Sequence, residues 1–205
     1  MSVLVVTGTD TGVGKTIVSA ALALAPGRTY VKVAQTGDDD DAGEVARLTG
    51  APVHTLARFD APLAPASAGT GITAEEVVAA LPPGDLVIEG AGGMLVQLGA
   101  DGSTLAEVAA LLGAPVLVVA RAGLGTLNHT ALTCEALAAR GLICPGVVIG
   151  SWPAAPGLAE RSNLGDLPLY AGVPLLGRVP EGAGRLAPAD FAARAPTWIS
   201  QGLLT

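Results

Sequence analysis

Apolar residues fall in short unbroken runs, and the stretches between them carry helical patterns. The runs are "VLVVT" (3–7), "TYVKV" (29–33), "DLVIEG" (85–90), "APVLVVA" (114–120), "CPGVVIG" (144–150) and "VPLLGRV" (173–179). Runs of this kind predict strands buried on both faces of a sheet. Helices are expected near 15–25, 41–49, 74–81, 104–112, 127–140, 158–166 and 189–203. Two of them open on a capping box, Thr73 with Glu76 and Thr104 with Glu107. There the Thr hydroxyl satisfies an orphan amide and the Glu reaches back to the cap. Strands alternating with helices imply an α/β fold with a mostly parallel sheet and helices on both faces. No repeat or linker interrupts the pattern, so residues 1–205 read as a single domain. In such sheets ligands bind beyond the carboxyl ends of the strands. Polar and glycine-rich residues gather there, at 8–16, 36–41, 89–93, 121–128, 150–153 and 180–184, as one rim.

Composition narrows the picture. Half of the 205 residues are hydrophobic and only 3% are aromatic, so the core is built from Ala, Val, Leu and Ile. The formal net charge is -7 and no basic run occurs. That argues against nucleic acid and against an anionic membrane, both of which need clustered Lys and Arg. A phosphate site in such a chain must be local, made of backbone amides and a few lysines. Cys134 and Cys144 form no metal-ligand pattern and are expected to be small buried residues rather than a disulfide or a reactive thiol. No basic segment opens the chain, so no signal peptide is expected. The longest apolar stretch, 105–120, holds Glu107 and a Gly-Ala-Pro break and reads as a helix followed by a strand. The expectation is a soluble, cytoplasmic protein.

The stretch "GTDTGVGKT" (8–16) sits between an apolar strand and an apolar helix. A phosphate-binding loop has that context: backbone amides and a helix N-terminus hold the phosphates. Lys15 would neutralise terminal phosphate oxygens and the Thr16 hydroxyl would bind Mg²⁺. The usual spacing asks for glycine at residue 9, however, and Thr9 stands there with the glycine one place earlier, at Gly8. Lys32 lies within an apolar strand, either as an edge residue with its ammonium in water or as a side chain pointing into the site announced by "QTG" (35–37). Among Asp38 to Asp41, one acid could serve Mg²⁺ and another could cap the helix that follows; Asp41 is nearest to that helix. Glu89 ends a strand before "GAGG", where an acid beside a phosphate loop binds Mg²⁺, unless it is a capping or surface residue. In "RAGLGTLNHT" (121–130), Gly125 and Thr126 can present helix amides to an anion, and His129 is either a general base or a hydrogen-bonded structural residue.

Taken together, "GTDTGVGKT", "QTG" after a strand lysine, "EGAGG", "GLGTLNHT" and "LLGRVPEGAG" resemble the dethiobiotin synthetase family, whose phosphate loop has the same extra residue. The resemblance spans most of the chain. It implies a P-loop NTPase-like fold and a cyclo-ligase of biotin biosynthesis that takes 7,8-diaminononanoate, CO₂ (or bicarbonate) and ATP to dethiobiotin, ADP and phosphate. Carried over residue by residue, Lys15 and Lys32 flank the carbamate and the transferring phosphate. Thr11 and Thr36 lie near the carbamate, with Gly92 of "EGAGG" beside the substrate. Gly12, Val13, Gly14, Lys15 and Thr16 supply phosphate contacts, and Thr16, Asp41 and Glu89 hold Mg²⁺. Leu124, Gly125 and Asn128 receive the substrate carboxylate from a neighbouring subunit, which implies a homodimer. Pro180, Glu181, Gly182 and Ala183 lie along ribose and base, with Gly150 and Ser151 of "GSWP" where some members carry a base-reading Asn. Val33 stands where the family's K-P-V motif has Pro, and the stretches between Lys15 and Lys32 and between Thr36 and Asp41 are shorter than usual. Two other classes fit less well. A partition-type ATPase would carry an early loop lysine where Thr9 and Asp10 stand. An amidotransferase synthetase would need a further glutamine-hydrolysing domain.

Overall fold

The computed structural model describes residues 2–204, and its core is a seven-stranded sheet. The strands are β1 (Val3–Gly8), β2 (Arg28–Thr36), β3 (Val53–Phe59), β4 (Asp85–Gly93), β5 (Val116–Ala120), β6 (Val147–Trp152) and β7 (Leu175–Pro180). Their order is β3-β2-β4-β1-β5-β6-β7, and every neighbouring pair is parallel. The helices are α1 (Lys15–Ala23), α2 (Asp41–Thr49), α3 (Pro65–Ala68), α4 (Ala74–Ala80), α5 (Leu105–Leu112), α6 (Thr126–Ala138), α7 (Leu158–Ala171) and α8 (Pro188–Arg194).

Successive strand side chains point to opposite faces, so an unbroken apolar run feeds two cores at once. On β1, Leu4 and Val6 join one core with Val18 and Leu22 of α1, Val45 and Leu48 of α2 and Phe191 of α8. Val5 between them joins the other, with Val77 of α4, Val108 of α5 and Leu137 of α6. Both cores are mainly Ala, Val, Leu and Ile, as the scarcity of aromatics requires. Removing a fully buried leucine side chain such as that of Leu22 from such packing costs about 2–5 kcal/mol. Both capping boxes form: the Thr73 and Thr104 hydroxyls accept backbone N–H groups, and Glu76 and Glu107 return the bond to the cap amides.

Four expectations change. β3 and α3 are additional elements, and β3 is an edge strand. α7 does not stop near 166. Pro168 lacks an N–H for the ladder, yet the helix continues because Leu167 and Ala171 are buried, and Gly172 ends it in the left-handed region at φ 68°. The expected helix over 189–203 is only α8, followed by two 3₁₀ turns at Ala195–Thr197 and Gln201–Leu203. The chain breaks there because it must lie against β7: Arg178 N–H donates to the Trp198 carbonyl at 2.9 Å and Ser200 N–H to the Leu176 carbonyl at 2.7 Å. Cys144 precedes its expected strand, which begins at Val147, and it is half-buried; Cys134 is buried, and both are free thiols. Among the described residues, no helix is long and apolar enough to cross a membrane.

Candidate active site

A cavity of about 710 Å³ opens at the carboxyl ends of β1, β2 and β4. β1 delivers the loop 9–14 and then α1. Gly14, the α1 N-cap, sits at φ 97°, and a side chain there would collide with the Gly150 carbonyl at the end of β6. A Cβ on Gly8 would lie 2.8 Å from both the Asp10 carbonyl and Val13 Cγ2. Close backbone approach therefore demands glycine at both ends of this loop. Thr9 N–H donates to the Val119 carbonyl at 2.9 Å, stitching the loop to β5. Thr11 N–H donates to Asp10 Oδ1 at 2.7 Å, and Arg121 donates to Asp10 Oδ2 at 3.1 Å and to the Thr11 carbonyl at 2.9 Å. The Asp10 carboxyl is held below its usual range by the Thr11 N–H and then by Arg121, with a smaller push from His129. Lys15 Nζ donates to the Asp10 carbonyl at 3.1 Å.

β2 and β4 are adjacent and in register at Lys32 and Glu89. Lys32 Nζ lies 2.8 Å from Glu89 Oε1, 2.5 Å from Asp41 Oδ2 and 3.1 Å from the Gly90 carbonyl. The lysine is buried and points into the cavity, which decides against an edge role. Glu89 is buried as well, so it is neither a surface acid nor a helix cap. Ser19 holds its second oxygen, donating to Oε2 at 2.7 Å. Thr16 Oγ1 lies 2.7 Å from Asp41 Oδ1 and 3.4 Å from Glu89 Oε1. The two acids at the start of α2 divide the work. Asp40 caps the helix, accepting from Gly43 N–H at 3.2 Å and pairing with Arg58 at 2.6 Å, while Asp41 turns inward.

The two lysines are shifted in opposite directions. Burial pushes the Lys15 ammonium down, against a raising effect of Glu89. Burial acts on Lys32 in the same sense, but Glu89 and Asp41 outweigh it and hold the Lys32 ammonium above its usual range. Cations and acids this close in a poorly hydrated site interact far more strongly than in water.

Among the described residues no three His, Cys, Asp or Glu side chains gather as a metal site. A cation here would rest on two carboxylates and the Thr16 hydroxyl. That hard oxygen set suits Mg²⁺, which binds through one or two carboxylates together with substrate phosphates.

Thr11, Gly12, Gly14, Lys15, Thr16, Lys32, Thr36, Asp41, Glu89 and Gly92 all line the one cavity. Other expected residues sit apart from it. Val13 is buried in the core, and Gly150 backs the phosphate loop. Ser151, Pro180 and Glu181 are exposed beyond β6 and β7, where Glu181 N–H donates to the Trp152 carbonyl at 2.7 Å. Gly182 and Ala183 follow, and a Cβ on the next residue, Gly184, would lie 2.9 Å from Ile17 Cδ1 of α1. Leu124, Gly125 and Asn128 are exposed and do not line the cavity. His129 is exposed at the same rim, and no hydrogen bond of its ring occurs among the described residues, which corrects the structural reading. Ser19, Arg121 and Asp10 were not singled out from the sequence. Ser19 had a signal, since it lies one turn beyond Thr16 on the same helix face.

The family model described as an AAA domain matches residues 2–184. The chain is 55% identical to the ATP-dependent dethiobiotin synthetase BioD of Streptomyces coelicolor, over 99% of this chain and 94% of that one. It is likewise 55% identical to the enzyme of the same name from Rhodococcus jostii, over 97% and 95%, and 50% identical to that of Mycobacteroides abscessus, over 98% of each. Among solved structures it resembles a ParA family ATPase from Chlorobium tepidum, at 13% identity and a TM-score of 0.59 over 99% of this chain and 96% of that one. It also resembles the cell division ATPase MinD of Pyrococcus furiosus, at 20% identity and a TM-score of 0.57 over 93% and 88%. The structural likenesses concern the fold alone, that of P-loop NTPases. Identity of this degree over nearly the whole length leaves one conclusion: the chain belongs to the dethiobiotin synthetase family.

Proposed function

We propose that the chain, acting as one domain in a cytoplasmic homodimer, closes 7,8-diaminononanoate and CO₂ into dethiobiotin at the expense of ATP. One amine adds CO₂, loses a proton and becomes a carbamate. A carbamate oxygen attacks the γ-phosphorus and ADP leaves. The second amine then attacks the carbamoyl carbon, the bond to the phosphate oxygen breaks, and the five-membered ureido ring closes as phosphate departs.

The observation that carries this reading is Lys32. It is a buried cation, charged because Glu89 and Asp41 hold it so, and it shares a cavity with Lys15 and Thr16 of the phosphate loop. A nucleotide switch needs the loop but has no use for a second cation facing an apolar wall of Ala34, Pro62, Leu63 and Val96. A reaction that joins a carbamate on an alkyl chain to a phosphoryl group needs both. The loop amides and Lys15 orient the phosphates, and Lys32 meets negative charge on the carbamate. Such fixed charges act where charge develops, at little reorganisation cost. Asp41, Glu89 and Thr16 would hold Mg²⁺, which when bound supplies positive charge at the phosphate oxygens. Thr11, Thr36 and Gly92 border the acceptor. The base would lie towards Gly150, Ser151 and Pro180 to Ala183. Leu124, Gly125 and Asn128, exposed and away from their own cavity, suit contact with a substrate held in the neighbouring copy.

The test is product identity. Purified protein with diaminononanoate, bicarbonate, ATP and Mg²⁺ should yield the cyclic urea, seen by mass spectrometry, and one phosphate for each ring. Nucleotide hydrolysis that ignores the diamine, accompanied by nucleotide-dependent dimerisation, would instead support the partition-type reading.

A further inference from the structure

Gln35 carries a pair of donors that the fold leaves unused. It is the penultimate residue of β2, only 4% exposed, and it lines the cavity. Its Oε1 accepts from the Asp41 N–H at 3.2 Å, and this bond fixes which end of the amide is oxygen. Among the described residues, its Nε2 makes no hydrogen bond. Nor is that nitrogen sealed in protein: the fully buried side-chain N and O atoms without a partner are Thr7 Oγ1 and Tyr30 OH. The NH₂ group of this nearly buried side chain therefore keeps some accessible surface, on a residue that lines the cavity. A buried donor left unpaired when a ligand displaces water is costly, so a fitting ligand must bring an acceptor.

Topology says which ligand. β2 is separated from β1 by β4, and Gln35 reaches the phosphate loop only through Asp41, whose carboxylate meets Thr16. Its companions on that side are Thr36, Asp39, Pro62 and Leu63, and the one cation on its strand that lines the cavity is Lys32, assigned above to the carbamate. This is the acceptor substrate's end. A protonated amine has no lone pair to accept a hydrogen bond, and a neutral amine must keep its lone pair for attack. A carbamate presents two acceptor oxygens. We propose that Gln35 is a substrate-binding residue whose amide NH₂ donates to a carbamate oxygen of the carboxylated diamine while its Oε1 holds the first turn of α2, and with it Asp41. This rests on the reaction proposed above.

The experiment compares wild type with Gln35→Glu and Gln35→Met. Glu keeps an oxygen for the Asp41 N–H and replaces the donor with an acceptor. Met fills a similar volume and provides neither group. Steady-state rates are measured against diaminononanoate at saturating ATP and Mg²⁺, with ADP affinity by calorimetry and the fold by circular dichroism. Both variants should lose about tenfold or more in kcat/KM for the diamine, the effect of one lost hydrogen bond to a charged group. In Gln35→Glu, which keeps the acceptor for the Asp41 N–H, ADP affinity measured without Mg²⁺ should stay within about twofold. A Gln35→Glu enzyme with wild-type kcat/KM beside an impaired Gln35→Met enzyme would reduce Gln35 to a brace for Asp41 and overturn the proposal. Loss of ADP affinity in step with activity in Gln35→Glu would also overturn it. Wild-type protein that makes no cyclic urea would remove the underlying reaction and this role together, an outcome distinct from normal turnover by the variants.

Discussion

The two halves of the sheet treat their carboxyl ends differently. At β1, β2 and β4, five side chains from four elements, Lys15, Thr16, Lys32, Asp41 and Glu89, meet inside one chain with their charges opposed. At β5, β6 and β7, Leu124, Asn128, Ser151 and Glu181 face outward and meet nothing comparable. The difference teaches where the chemistry is self-contained. The half with buried charge is finished by the fold, because unpaired ions there would be too costly to keep. The exposed half carries no such constraint from buried charge.

The sharpest way to break this comparison is Lys15→Ala. If the inner half carries the chemistry, kcat should fall by about 10²–10³ with an unchanged circular dichroism spectrum, as for loss of one charge-stabilising group. Leu124→Ser on the outer half should leave the isolated chain's fold equally intact. A folded Lys15→Ala protein with a near-normal rate would remove the distinction.

Next in size is a mixing experiment. Lys15→Ala and Asn128→Trp chains, each inactive alone, should recover up to roughly a quarter of wild-type activity after subunit exchange. Half of the dimers are then hybrids, each with one site free of both lesions. Demonstrated exchange without recovery would mean that the outer half serves its own chain or no chain at all.

A smaller effect concerns the base. At Gly150 a Cβ would run into the Val13 carbonyl, so no side-chain amide can stand there to read the base. The lost discrimination amounts to about one hydrogen bond, and other nucleoside triphosphates should support the reaction within roughly tenfold of ATP. Strict dependence on ATP in competition would show that another group in the outer half reads the base.

The smallest effect is on stability at high pH. For Lys32, burial opposes the charge but Glu89 and Asp41 outweigh it, so the folded chain holds that proton more tightly than the unfolded chain. Its contribution is whole below the ordinary lysine range and is lost as pH climbs beyond it. Lys15, lowered by burial, has the opposite sign: its cost is relieved as pH rises towards the ordinary range. Thermal midpoints should therefore hold or rise slightly on approaching that range and fall above it. A midpoint still climbing well above the lysine range would contradict the pairing of Lys32.

The inner half was legible because its parts are local signals at strand ends. Gly14-Lys15-Thr16 opens a helix, Lys32 and Glu89 interrupt apolar runs, and Asp41 precedes a helix. What could not be read were contacts between distant segments. Arg121 braces the phosphate loop from beyond β5, across 111 residues of sequence to Asp10. Gln35 is an ordinary polar residue until Asp41 is folded against it. Among the elements, β3 was missed because its residues are mostly half-buried or exposed and carry His54, Thr55 and Arg58, so no apolar run announces it. α3 is four residues long and too short for any period to show. α7 outran its expected end because burial of Leu167 and Ala171 prevailed over Pro168.

The strap of residues 198–200 along β7 has a consequence for the company the protein keeps. A bare outer strand is a template on which another chain can lay its own backbone. Here Gly177 lets the Trp198 carbonyl come so close that no foreign strand could pair at that position without first peeling the tail away. Among the described residues the opposite margin, β3, has no such strap, and it carries the charged Arg58, paired with Asp40, on a half-buried strand. Shortening the chain before Trp198 would thus do more than remove a tail: it would turn a protected border of the sheet into an adhesive one.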